Sequence, residues 1–365
     1  MKRTLMLLAT LLTITFAWAQ KLPKNEMNAL KSFLSAPAAK GGTNAQALLI
    51  TDLGNPATWP GITFNPDGSA KSISWAGKEL AGNLNLTGFK GLQTLDVSNN
   101  HLTSATLASN PALRAVNLSR NLLSDINING CQNIRVLKLN RNRLSTLNLG
   151  DLPELTSLNI ASNRIAALDV SNSATLKTLN CTGNKMQELV VSGCTALQSL
   201  YAGYNDLASI EISGLESLQN LNLTSNRLTT MYVQNLPSLN TLIVSDNHLK
   251  ELVAQNCRSL SDIFAGYNDL TGFSVENCPK LQWVNLNWND LTSITLTGQN
   301  LLERINLANN ELTWADLSFN PMLRYVNVAN NDMLSTLQLQ ADTQLQQVVG
   351  AYDDWGDGWS EAMQE

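Results

Sequence analysis

The chain has 365 residues, a formal net charge of −5 and only 15% charged residues. That balance provides no overall basic footprint, so a nucleic-acid partner is not expected. Asn, Ser and Thr supply much of the polar surface instead, which suits a protein kept soluble outside the cytoplasm.

The N-terminus begins Met1-Lys2-Arg3 and runs apolar from Leu5 to Trp18, with Ala17-Trp18-Ala19 before Gln20. A positive start, an apolar stretch and an A-x-A site predict a secretory signal peptide over residues 1–19. The apolar run falls short of the ~20 residues that a membrane span needs. No second stretch is long enough, and no Cys follows the cleavage site to carry a lipid. The mature chain is expected to start at Gln20 and to be secreted, periplasmic or on the cell surface, with no membrane span.

Residues 20–85 read as an N-terminal cap. Lys24 to Ser35 has helical spacing, with Met27, Leu30, Phe33 and Leu34 on one side, and Pro37 and Gly41-Gly42 end it. Asn55 to Phe64, then Asn65-Pro66-Asp67-Gly68, read as an extended segment and a turn. Trp59 is expected to plug the cap core. Ile73, Trp75 and Leu80 form a degenerate first repeat that closes the open end of the repeat array.

From 86 to 340 an asparagine returns every 21 residues, twelve times, from Asn100 to Asn331. Around each lies the frame L-x-x-L-x-L-x-x-N-x-L, as in Leu113, Val116, Leu118, Asn121 and Leu123. This is the leucine-rich-repeat signature. The apolar frame occurs twice per unit: Leu281, Val284 and Leu286 lead to Asn289, and Leu291, Ile294 and Leu296 repeat the spacing. The expected fold is a leucine-rich-repeat solenoid, mainly β, with a parallel sheet on the concave face and short extended or 3-10 segments on the convex face. A small helical cap precedes it. Each buried Asn amide offers donors and an acceptor to the bent backbone. The matching position of the second half holds Asn110, Cys131, Leu152, Ser173 and Cys194, among others, so that bend needs less side-chain help. Residues 341–365 read as a last degenerate repeat through Leu345, Val348 and Gly350, and a C-terminal cap. The acidic, aromatic tail Asp353 to Trp359 lacks the spacing of an EF-hand loop.

On these motifs the region from about 90 to 340 resembles the bacterial 21-residue leucine-rich repeats with nested 10/11 periodicity, and is similar to the internalin-type surface proteins. The resemblance implies an extracellular binding module rather than an enzyme. The chain departs from anchored internalins in having no wall-sorting or transmembrane tail.

Four of the five cysteines sit at the second-half bend, and Cys181 is an inward strand position. Cys257 and Cys278 occupy adjacent turns, whose spacing of ~4.8 Å suits either a disulfide or two buried free thiols. No metal site is expected, because no His accompanies the thiols. His101 and His248 lie seven turns apart and share no site. No catalytic motif is present, and no cofactor or catalytic residue is predicted.

Counting from each Asn turns the repeats into columns. Tyr201, Tyr204, Ile243, Phe264, Tyr267, Trp283, Trp288 and Tyr325 are expected to gather on the C-terminal half of one outward face. Such a patch marks interaction, unless the rings merely pair across strands. After the Asn, Arg143, Arg164, Lys185 and Arg227 lie N-terminal and Asp269, Asp290, Glu311 and Asp332 C-terminal, with Asp206 an exception. This segregation favours an electrostatically complementary partner. The candidate binding residues are therefore Tyr201, Tyr204, Phe264, Tyr267, Trp283, Trp288, Asp269, Asp290 and Tyr325. The expected function is non-enzymatic recognition of a protein partner through the concave face. A glycan held by stacked aromatics, or a structural role in the envelope, is the alternative. Sequons such as Asn117-Leu118-Ser119 fall on the same face, where glycosylation would block it, and so favour a bacterial origin.

Overall fold

A single sheet of 15 short strands runs along the computed structural model, which describes residues 22–171, 173–340 and 345–350. The expected signal peptide and the tail from Asp353 lie outside the described residues. All pairings in the long sheet are parallel except the first hairpin, Ile62–Phe64 against Ala70–Ser74. Paired Cα atoms are one repeat apart: Leu200 faces Leu221, and Leu221 faces Leu242. The reason is the frame itself. In a strand such as Asn220–Asn222 the central Leu points inward and is buried, while its neighbours stay half-exposed. Any slip by one residue would turn that Leu into water. Burying a Leu is worth about 1.5–3 kcal/mol, and each turn buries several.

The second half of the repeat forms a second, interrupted row of strands. It is made of short parallel sheets: Ala81–Asn85 to Asp125–Asn127, Ala167–Asp169 with Glu188–Val190, Met231–Gln234 to Gly272–Glu276, and Ser293–Thr295 to Thr336–Leu339. No strand forms over 144–150 or 207–213. The row is extended rather than 3-10, because its inward residues keep the strand-like alternation of the first half. Among the described residues the one 3-10 helix lies in the cap, at Pro56–Thr58. The core is the narrow apolar space between the two rows.

Two helices and a hairpin precede the repeats at one end. Helix Lys24–Ser35 buries Leu30, Phe33 and Leu34, and Phe33 stacks on Trp75 with ring centroids 6.3 Å apart. Trp59 is buried and its Nε1 donates to Asp52 O at 2.9 Å. The helix also buries Glu26, whose Oε2 accepts the Ala70 N–H at 2.8 Å and so tethers the helix to strand Ala70–Ser74. At the other end, strand Gln347–Val349 extends the long sheet past Tyr325–Asn327.

Candidate binding surface

The surface is built around the turn that leaves the long sheet. At that turn the ladder Asn reaches backbone, not another Asn. Asn226 Nδ2 donates to Ala202 O of the preceding turn at 3.0 Å and to Leu223 O at 2.9 Å, and its Oδ1 accepts from Leu207 N at 3.0 Å. Asn205, Asn247 and Asn268 repeat the set. Making these bonds requires the residue just before the Asn to adopt a left-handed backbone. That residue has φ near 55° at Tyr204, Tyr267 and Trp288, and 67° at Gly183. A left-handed residue points its side chain out of the turn, so Tyr204, Tyr267 and Trp288 are 60%, 54% and 51% exposed.

The predicted patch therefore divides in two. Tyr204, Tyr267, Trp288, Asp269 and Asp290 lie on the edge formed by the Asn turns. Tyr201, Phe264, Trp283 and Tyr325 lie in strands of the long sheet. On the edge, Tyr267 and Trp288 stack with centroids 5.8 Å apart and planes 13° from parallel. Tyr204 stands three turns away, roughly 14 Å, with Ser225 and Asp246 between.

On the sheet, Phe264 departs from expectation: it is only 6% exposed. The Trp283 ring packs edge-on against it at 5.1 Å and removes it from water. Phe264 is a support for Trp283 rather than a contact residue. Sequence reasoning missed Arg304, which stands between Trp283 and Tyr325 in the same column. Its guanidinium lies 5.4 Å from one ring and 5.1 Å from the other, within cation–π range. The signal was available, since the three residues are spaced by 21. The Tyr325 hydroxyl is 2.6 Å from Gln346 Oε1, which anchors the stack toward the C-terminal end.

The recurrent Asn of the sheet face has a structural role. Asn222 Oδ1 accepts from Thr224 N at 3.0 Å and Asn327 Oδ1 from Ala329 N at 3.0 Å, closing the strand exit as an Asx turn. At Tyr201 and Phe264 that acceptor is lost and the residue two further on is Gly203 or Gly266. A Cβ on Gly266 would sit 2.0 Å from Asn287 Oδ1, so the next turn lies directly over it.

At the opposite margin, where the chain enters the sheet, a groove of about 540 Å³ is lined by Gln219, Asn240, Ser261, Gln282 and Lys280, with Ser238 and Ser259 beside them. Its walls carry amides and hydroxyls with one cation. Beside it, burial pushes the Asp262 carboxyl above the usual Asp range, partly offset by a hydrogen bond from Ser261.

The charge gradient is present on the Asn edge, and its exception is resolved. Arg227 pairs with Asp206, and His248 Nδ1 lies 3.6 Å from Asp269 Oδ2. Among the described residues, Arg143, Arg164, Lys185, Asp290, Glu311 and Asp332 make no ion pair within the chain.

All five cysteines are buried free thiols. The second-half position uses its side chain only as a donor: Asn110 Nδ2 reaches Leu86 O at 3.0 Å, and Cys131 Sγ reaches Leu107 O at 3.0 Å. The Asn110 Oδ1 has no partner. A thiol supplies the same single donation as Asn110, and Leu152, Leu215 and Leu236 show that the bend also forms without it. Burial pushes Cys181 up to about 12 and Cys194 to about 11. A hydrogen bond from Cys278 instead lowers Cys257 to about 7 and raises Cys278. Among the described residues no group of His, Cys, Asp or Glu could hold a metal, and no helix is long and apolar enough to cross a membrane.

Two rows of inward Leu, a parallel sheet in register at every 21 residues and the Asn turn define a leucine-rich-repeat solenoid. No protein-family model and no curated protein matches the chain. Solved structures do. YopM of Yersinia pestis is similar with a TM-score of 0.58 and 19% identity, covering 77% of this chain and 88% of that one. YopM of Yersinia enterocolitica WA-314 gives 0.52 and 22%, covering 71% and 60%, so the chain spans less than two thirds of that protein's length. The functional domain of InlJ from Listeria monocytogenes, which includes a cysteine ladder, gives 0.50 and 24%, covering 74% and 67%. At these identities the likeness is one of fold, that of a leucine-rich-repeat solenoid.

Proposed function

We propose that this chain is a secreted or surface-exposed recognition protein, without catalytic activity, that binds a protein partner across the long sheet. The observation that carries this reading is the Trp283–Arg304–Tyr325 stack on that sheet. A guanidinium held between two rings has less side-chain freedom left to lose, so pairing it with a partner's carboxylate is favoured. Trp, Tyr and Arg are also the residue types that dominate protein hot spots. Tyr201 and Ile243 extend the contact surface toward the N-terminal end. The similarity to internalin-type proteins supports placement outside the cytoplasm.

The test is affinity capture from surface-protein extracts with native chain, Arg304→Ala and Trp283→Ala, after circular dichroism has shown all three folded. The expected outcome is one protein captured by the native chain and lost with both variants. If both variants retain everything the native chain captures, the sheet is not the binding surface. The amide-and-hydroxyl groove favours a second reading, a neutral glycan hydrogen-bonded along Gln219, Asn240, Ser261 and Gln282. A glycan array probed with native chain and Gln282→Ala decides it, and an array with no signal abolished by the substitution rejects it.

A further inference from the structure

We propose that the edge formed by the Asn turns is a self-recognition surface, on which a second copy of this chain packs antiparallel. The two-fold axis passes between the turns of Asn226 and Asn247. Turns repeat at one strand spacing, ~4.8 Å, so the edges of two antiparallel copies stay in step along their length. About this axis the Asn226 turn meets the Asn247 turn, Asn205 meets Asn268, Asn184 meets Asn289, and so on outward.

The column after the Asn is self-complementary in this register. Lys185 faces Asp290, Arg164 faces Glu311 and Arg143 faces Asp332, and the symmetry makes each pair twice. All six side chains are exposed and make no ion pair within their own chain, among the described residues. Near the axis Asp206 faces Asp269 and Arg227 faces His248, while within each chain Arg227 pairs with Asp206 and the His248 ring lies beside Asp269.

The column before the Asn selects the same axis independently. Trp288, half exposed, faces Gly183, the one glycine in that column from Asn99 to Asn330. Tyr204 faces Tyr267. An axis moved half a turn N-terminal sets Arg227 against its own copy and Tyr204 against Asp246. Moved half a turn the other way, it sets Asp206 against Asp290. The aromatic residues also call for a reason to be where they are, because a bulky side chain in a left-handed backbone is disfavoured where Asn or Gly is not.

The strip is about 43 Å long at nine steps of ~4.8 Å and one turn wide. It therefore falls at the low end of specific interfaces, on the order of 1,200 Å² in total. Such an area and its exposed ion pairs make a weak, salt-sensitive dimer.

Sedimentation equilibrium of the native chain at low salt should show a monomer–dimer equilibrium that shifts to monomer in roughly 1 M salt, where the screening length falls to about 3 Å. Lys185→Asp and Asp290→Lys, each alone, should weaken the dimer about tenfold or more, each by at least ~1.4 kcal/mol, and the chain carrying both should regain it. Gly183→Arg should also abolish it, in a backbone position where Arg120 and Arg141 are already accommodated at φ 55° and 58°. Arg304→Ala on the sheet should leave it unchanged, which separates this result from the test of partner binding. A chain that stays monomeric at low salt overturns the proposal. So does a dimer that neither single swap weakens, or a double variant no tighter than the singles.

Discussion

An asparagine amide at the exit of each strand satisfies backbone groups on two successive turns at once. Asn226 serves three carbonyls and one N–H, of which Ala202 O and Leu207 N belong to the turn before. The second-half residue makes a single donation, as Asn110 does to Leu86 O. Orphaning a buried polar group costs about 1–3 kcal/mol. Asn226→Ala should therefore lose several kcal/mol, on the order of 3, and Asn110→Ala about 1, in urea denaturation. Asn110→Cys should be nearly neutral, since Cys131 and Cys194 already donate in that way. Equal losses at the two positions would refute this assignment. The asymmetry was half legible in the sequence: the second column tolerates Cys and Leu, but only the structure shows that Asn110 and Cys131 donate there and that the Asn110 acceptor goes unused.

At the level of elements, a buried carboxylate ties the cap helix to strand Ala70–Ser74 of the long sheet. Burial raises Glu26 above the usual Glu range despite the hydrogen bond from Ala70, and Asp67 adds repulsion. A folded-state value above the unfolded one means that the native chain holds this proton more tightly. Its contribution is present at low pH and is lost as pH rises through the folded value. Glu26→Gln keeps an acceptor for Ala70 N–H and drops the charge. It should match or exceed native stability near pH 7, and the gain should vanish near pH ~4, around the ordinary Glu value. Glu26→Ala should cost about 1–3 kcal/mol. A Gln variant that is less stable than native at neutral pH would refute the tether.

The repeat elements were legible because apolar spacing alone dictates strand, register and inward face. Glu26 was not, since its partner Ala70 is 44 residues away and nothing local marks the contact. The recognition surface was legible in type but not in arrangement. Columns show which residues share an outward row. They do not show that the residue before each Asn turns left-handed, which moves Tyr204, Tyr267 and Trp288 off the sheet and onto its edge. They also do not show that one ring covers another, as Trp283 covers Phe264.

For the molecule as a whole, each turn packs only against its neighbours, so stability is a sum of turn and interface contributions. Leu221→Ala, in a central turn, should cost about 2–5 kcal/mol. It should also split denaturant unfolding into two transitions, read by hydrogen exchange on either side of the site. A single cooperative transition of lower midpoint would argue against this independence. The strands run across the long axis, and the hydrogen bonds between them run along it. A pull on the two ends thus loads every rung in series. Rungs held by both rows share the tension between two sets of bonds, whereas those at 144–150, at 207–213 and between Gly272–Glu276 and Ser293–Thr295 have only the long sheet. Under traction the coil should give way there first, lengthening stepwise while the turns on either side stay folded.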